Sequence, residues 1–226
     1  MRVLLHDPFD PGSRAARLAL GEKKLDFNAV EQKAPESDGD FLRINPAGRL
    51  PVLLEQSLTG EEAALWPAPT AAEYLDEAYG GTPLLPGTSL KRAETRRLVA
   101  WFEEKFAADV SGPIIFERIE KRRRRLGPPD YAVIRPAADA LGWHLDYLNH
   151  LVESRNWVAG ETLSLADLFA AAHLSVLDYF GAVPWHDAPD AKDWYARMKS
   201  RPSFKPLLED RIPGVPPHRA YGDLDF

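Results

Sequence analysis

The chain has 226 residues, 28 basic against 34 acidic for a formal charge of −6, and no cysteine. That length supports one large domain or two small ones with a true core. The acidic balance argues against wholesale nucleic-acid binding, and the missing cysteines exclude disulfides, Cys-x-x-Cys redox pairs, thiolate metal sites and a cysteine nucleophile.

Residues 2–6 read as a first strand, and Asp7-Pro8-Phe9-Asp10-Pro11-Gly12 as a turn. Ser13 can cap a helix through Leu20 that ends near Gly21. Phe27 to Glu31 forms a second strand, and the polar stretch 33–40 a loop. Asn45 to Leu54 and Ala63 to Trp66 read as two further strands, and Thr70 to Tyr79 as a helix. The prediction for 1–80 is therefore a small α/β layer, joined by a Gly/Pro-rich linker at 81–89 to an all-helical unit at 90–211. In that unit Leu90 to Ala108 carries Leu98, Phe102 and Phe106 on one stripe. Tyr131 to Ser154 places Leu141, Leu145, Leu148 and Val152 at helical spacing. Ser164-Leu-Ala-Asp167 resembles a capping box opening a buried helix, and shorter helices follow around 190–200 and 203–209. The tail, 212–226, holds Pro213, Pro216 and Pro217 and cannot be regular helix.

The first residues are too few and too polar for a secretory signal. The apolar stretch Leu163 to Phe180 is interrupted by Asp167, His173 and Asp178, short of the roughly 20 residues of a membrane span. The expectation is a cytoplasmic protein. The six histidines form no metal-binding spacing, and His173, on the buried helix, reads as a satisfied core residue. No phosphate-binding loop or nucleophile elbow occurs. No metal or cofactor is expected.

Three stretches resemble the glutathione S-transferase family. Asn45-Pro-Ala-Gly-Arg-Leu-Pro51-Val-Leu is similar to that family's N-P-x-G-x-[VL]-P-x-L segment. Glu73-Tyr-Leu-Asp-Glu-Ala-Tyr79, followed by Leu84-Leu85-Pro86, resembles the end of its first domain. Gly160 to Leu168 and Trp194…Arg201-Pro-Ser-Phe204 resemble the buried and closing helices of its second. The resemblance implies an α/β plus all-α architecture: an N-terminal thioredoxin-like domain and a C-terminal helical domain. It also implies that Pro51 is cis and turns the Leu50 backbone toward a thiol tripeptide. Two readings of Pro51 stand, a ligand contact or a turn that the fold needs whatever is bound.

A transferase must stabilise a thiolate at the N-terminus of its first helix. Here the corresponding stretch is Asp10-Pro11-Gly12-Ser13, and an ionised Asp10 would repel a thiolate. Ser13 could still donate a hydrogen bond. Where relatives carry Glu-Ser to hold the γ-glutamyl end, this chain has Pro67-Ala68, which offer no side-chain partner for that charge. The glutathione site at Asp10, Ser13, Leu50, Pro51, Pro67 and Ala68 therefore reads as vestigial.

Two segments suggest a partner instead. Arg122, Arg123, Arg124 and Arg125, after Lys121, read either as a dock for an acidic partner or as a solvated helix end balanced by Glu117 and Glu120. The tail ends in Tyr221-Gly-Asp223-Leu224-Asp225-Phe226, either a docking peptide with apolar anchors and acidic register marks or a tail folded back over the helices. The altered pocket with this tail resembles non-catalytic members of the family that act in bacterial cell division. That resemblance implies a homodimer that binds FtsZ filaments, bundles or curves them and promotes constriction, without catalysis. The alternatives are a glutathione-dependent transferase using Ser13 and a translation or stress scaffold on the same fold.

Overall fold

A computed structural model describes residues 2–56 and 60–224. The first half holds a four-stranded sheet in the order β2-β1-β3-β4. β1 (Val3–His6) pairs in parallel with β2 (Asn28–Glu31) and antiparallel with β3 (Val52–Gln56), and β3 pairs antiparallel with β4 (Glu62–Leu65). Leu4 stands opposite Leu53 in register, and both are buried beneath α1 (Pro11–Glu22) and α3 (Ala68–Ala78). The sequence expectation of strands and helices holds here, with shifted bounds. Residues 45–51 are a turn rather than strand: Asn45, 1% exposed, accepts from Ala47 N at 2.9 Å and donates to Arg49 O at 2.7 Å, and Gly48 takes a left-handed φ of 61°. The expected loop at 33–40 gives way to a short helix α2 (Gly39–Ile44), because the Asp38 carboxylate caps the Asp40 and Phe41 amides.

The second half is helical. α4 (Ser89–Ala100) does not stop at Ala108 as the sequence stripe suggests. It runs on through a π-wound stretch (Trp101–Ser111), a short α segment (Gly112–Ile115), a second π-wound stretch (Phe116–Glu120) and a last turn (Lys121–Arg123). Gly112 makes this possible, since a Cβ there would sit 2.7 Å from the Ala107 carbonyl oxygen. Pro113 is tolerated next to it because the wider winding relocates the amide bond that proline cannot make.

α5 (Tyr131–Glu153) buries Leu141, Leu145, Leu148 and Val152 as their spacing predicts. α6 (Leu165–Tyr179) is buried along its whole length. Its start is fixed by Asp167, whose carboxylate accepts from Ser164 N and Val158 N, both at 2.8 Å, and from Trp194 Nε1 at 2.9 Å. α7 (Pro189–Lys199) and α8 (Lys205–Glu209) close the bundle.

α1 packs against α6 and joins the two halves into one core. Glu22, at the end of α1, accepts a two-pronged bond from Arg201 at 2.6 and 2.7 Å. The linker is anchored as well. Asp76 accepts from Leu84 N and Leu85 N, and Leu165 N donates to Leu84 O at 2.8 Å. His173 is a satisfied core residue, within bonding distance of Ser111 Oγ (2.8 Å) and Glu103 (3.2 Å). Among the described residues no group of three metal-ligating side chains forms, and no helix is long and apolar enough to cross a membrane.

Candidate functional site

The residues flagged from sequence gather where α1, the start of β3 and the start of α3 meet. Gly12 lies at their centre. A Cβ on it would lie 3.2 Å from Pro51 Cδ and 3.4 Å from both Ala68 Cβ and Asp10 Oδ2. Leu50–Pro51 and Trp66–Pro67 are both cis. Pro67 heads α3 without a side-chain cap, and Pro69 removes a further amide from its first turn. Positions 67 and 68 thus offer no carboxylate or hydroxyl, and the first hydroxyl of α3 is that of Thr70.

The expected capping role of Ser13 is corrected. Asp10 is the cap of α1, and its Oδ2 accepts from Ser13 N at 2.6 Å. Ser13 is one turn inside the helix and fully buried, and its Oγ accepts from Asp7 N at 3.3 Å. The reason is geometric: the carboxylate one residue before Pro11 reaches the third amide, while Ser13 already has helical backbone. The ionised Asp10 expected from sequence also changes. Burial pushes its carboxyl up to about 7, with Glu103 and Asp7 adding to the shift and the Ser13 bonds opposing it. Near neutrality the group is divided between its acid and its carboxylate.

The basic run sits at the end of the α4 rod, and most of it is spent within the molecule. Lys121 pairs with Glu117 at 2.7 Å. Arg123 pairs with Asp7 of the first domain and with Glu120. Arg124 pairs with Glu36 at 2.9 Å and with Glu120 at 3.3 Å. Arg122 donates to the Pro213 carbonyl at 3.3 Å. Among the described residues Arg122 and Arg125 form no ion pair with an acidic side chain. The run is thus both a brace between the halves and, at those two positions, a source of uncompensated charge.

The tail folds back over this end of the molecule. Tyr179 is its hub, with its hydroxyl donating to Val215 O at 2.6 Å and accepting from Ile212 N at 3.1 Å. Phe9, Ile119, Val176, Tyr179, Ile212 and Tyr221 form a second small core. The expectation that Tyr221 faces a partner is therefore corrected, because it is 1% exposed and held by its ring and its hydroxyl. Leu224 is 40% exposed, whereas Asp225 and Phe226 lie outside the described residues. What links the basic run to the tail is Arg122, bonded to Pro213 O at the start of the tail.

Sequence reasoning missed Arg14. It lies on the apolar stripe of α1, is fully buried, and bonds to Pro8 O (2.7 Å), Ser175 Oγ (2.7 Å) and Asp210 (3.2 Å). The available signal was an arginine one turn before Leu18 on a core-facing stripe, which demands a buried acid elsewhere in the chain.

A thioredoxin-like layer, an all-helical second half and a cis-proline corner at the head of α1 together define the glutathione S-transferase fold, and the chain belongs to that family. The family model for the glutathione S-transferase N-terminal domain matches residues 4–83, and that for the C-terminal domain matches residues 133–202. FtsZ-localized protein A of Caulobacter vibrioides is 47% identical over 227 residues, covering 100% of this chain and 98% of that protein. The structure of FzlA from C. crescentus superposes with a TM-score of 0.95 at 46% identity, over 100% of this chain and 99% of that one. A glutathione S-transferase from Rhodospirillum rubrum superposes with a TM-score of 0.94 at 45% identity, with both chains fully covered.

Proposed function

We propose that this chain is a non-catalytic member of the family that binds FtsZ filaments at the division site, bundles or curves them and promotes constriction. The observation that carries the reading is the occupant of the α1 terminus. The Asp10 carboxyl stands where a thiolate would need a donor, and the Ser13 hydroxyl is sealed inside the helix. The likeness to an FtsZ-localized relative supplies the partner. The working unit is a cytoplasmic homodimer: two copies of one weak site grip a repeating filament by avidity. Asp223, Leu224, Asp225 and Phe226 are the first contacts, with Arg122 and Arg125 as the second choice. No cofactor takes part.

The competing reading is a glutathione-dependent transferase using Ser13, favoured by the likeness to the R. rubrum transferase. Co-sedimentation with GTP-polymerised FtsZ, run beside binding to immobilised glutathione and turnover of chlorodinitrobenzene, separates the two. Pelleting with filaments and inactivity in both glutathione assays is the expected result. Turnover that disappears in Ser13→Ala, with no pelleting, would replace this reading with the transferase.

A further inference from the structure

The tail is fastened by groups that make no part of the docking surface. Tyr221 donates its hydroxyl to Leu207 O at 2.9 Å and accepts from Arg14 Nη1 at 3.1 Å. Its ring meets Tyr179 edge-on at 5.1 Å between centroids. One residue earlier, Ala220 O accepts from the buried Lys199 Nζ at 3.3 Å. His218 N donates to Tyr179 O at 2.8 Å. Positions 218, 220 and 221 are thus held by α6, α7 and α1 in turn. Among the described residues Tyr221 is the last buried side chain, and the acidic-apolar stretch begins two residues later. A segment tethered at a fixed point loses less freedom on docking, and it meets its partner at a higher effective concentration than a loose one.

Resting on the docking role of the tail, we infer that Tyr221 is a positioning residue for filament binding. Its latch onto Arg14 fixes the origin of the Asp223–Phe226 segment, on a tail whose start is bonded to Arg122, so that one partner meets acidic-apolar end and uncompensated arginine together. Arg14, sealed inside the first domain, thereby governs a contact that it never makes.

The test compares the full chain with Tyr221→Phe, Tyr221→Ala, a deletion of 223–226, and the deletion combined with Tyr221→Ala. Apparent affinity is read by co-sedimentation with GTP-polymerised FtsZ, release of the tail by the rate of trypsin cleavage after Arg219, and folding by thermal melting. Tyr221→Ala is expected to weaken binding at least tenfold and to speed cleavage. Tyr221→Phe, which keeps the ring and loses the latch, should lie between it and the parent. In the deletion background Tyr221→Ala should add no further loss to the residual binding. The inference is overturned if the deletion weakens binding while the Ala variant, or a Phe variant with faster cleavage, binds like the parent. It is equally overturned if the loss from Tyr221→Ala persists in full without residues 223–226. A deletion that binds as well as the full chain instead removes the docking role of the tail, and the inference with it.

Discussion

Asp10 Oδ2 accepts the Ser13 backbone N–H at 2.6 Å, and this one bond starts α1. Burial raises the Asp10 carboxyl to about 7, above the roughly 3.9 of an unfolded aspartate. Between those values the folded state binds more protons than the unfolded one. Stability associated with Asp10 is therefore full at low pH and is lost as pH rises through 7. Asp10→Asn keeps an oxygen for the cap and removes the titration. The melting temperature of the parent should fall relative to that of the Asn variant between pH 6 and pH 8, whereas parallel curves would show that Asp10 does not titrate there. Asp10→Ala, which also loses the cap, should cost about 1 kcal/mol more than Asn.

Glu22 carries the opposite sign. Burial alone would raise its carboxyl, but the bonds from Arg201 and Ser203 and the charge of Arg201 outweigh it and hold the group below the ordinary range. Its contribution is present above the unfolded carboxylate value and is lost as pH falls through the folded one. Glu22→Gln should remove about 2 kcal/mol at pH 7, since it strands a partly buried guanidinium. Chemical denaturation at pH 7 and at pH 3.5 checks this, and the difference between parent and variant should shrink at the lower pH.

Gly112→Ala isolates the winding of the rod. Alanine is the better helix former by about 1 kcal/mol. Its Cβ, however, would stand 2.7 Å from the Ala107 carbonyl oxygen, and backbone cannot swing aside as a side chain can. The substitution should destabilise by about 2 kcal/mol or more, read by urea unfolding. A stabilised variant would mean that the π-wound register does not exist in solution.

Arg123 and Arg125, two residues apart, should behave differently. Arg123 pairs with Asp7 across the halves, so Arg123→Glu should lower the melting temperature as well as filament binding. Arg125→Glu should leave melting within about 0.5 kcal/mol of the parent and reduce only co-sedimentation. Equal effects on melting would deny the bracing role of Arg123.

Much of this was legible in the chain because it is local. The Ser164–Asp167 start of α6 and the apolar stripe of α5 are each set by residues within a few positions of one another, whereas residues 45–51, read as strand, are a turn closed by Asn45. The cap of α1 was misassigned by three residues, because both Asp10 and Ser13 have the chemistry and only the backbone angles decide between them. The end of α4 was misplaced because the apolar stripe was followed only to Ala108, whereas the π winding carries the helix on past Gly112 and Pro113.

The sequence by itself determined the two-part architecture and the family, since side-chain type and short-range spacing suffice for these. Only the tertiary structure decided which arginines remain uncompensated and that Tyr221 is an anchor rather than a contact. Both depend on partners from 88 to more than 200 positions away, Glu36 for Arg124, Asp7 for Arg123 and Arg14 for Tyr221. A charge or a hydroxyl carries no record in the sequence of what neutralises it at that distance. The packing of α1 on α6 and of the tail on both brings those groups together.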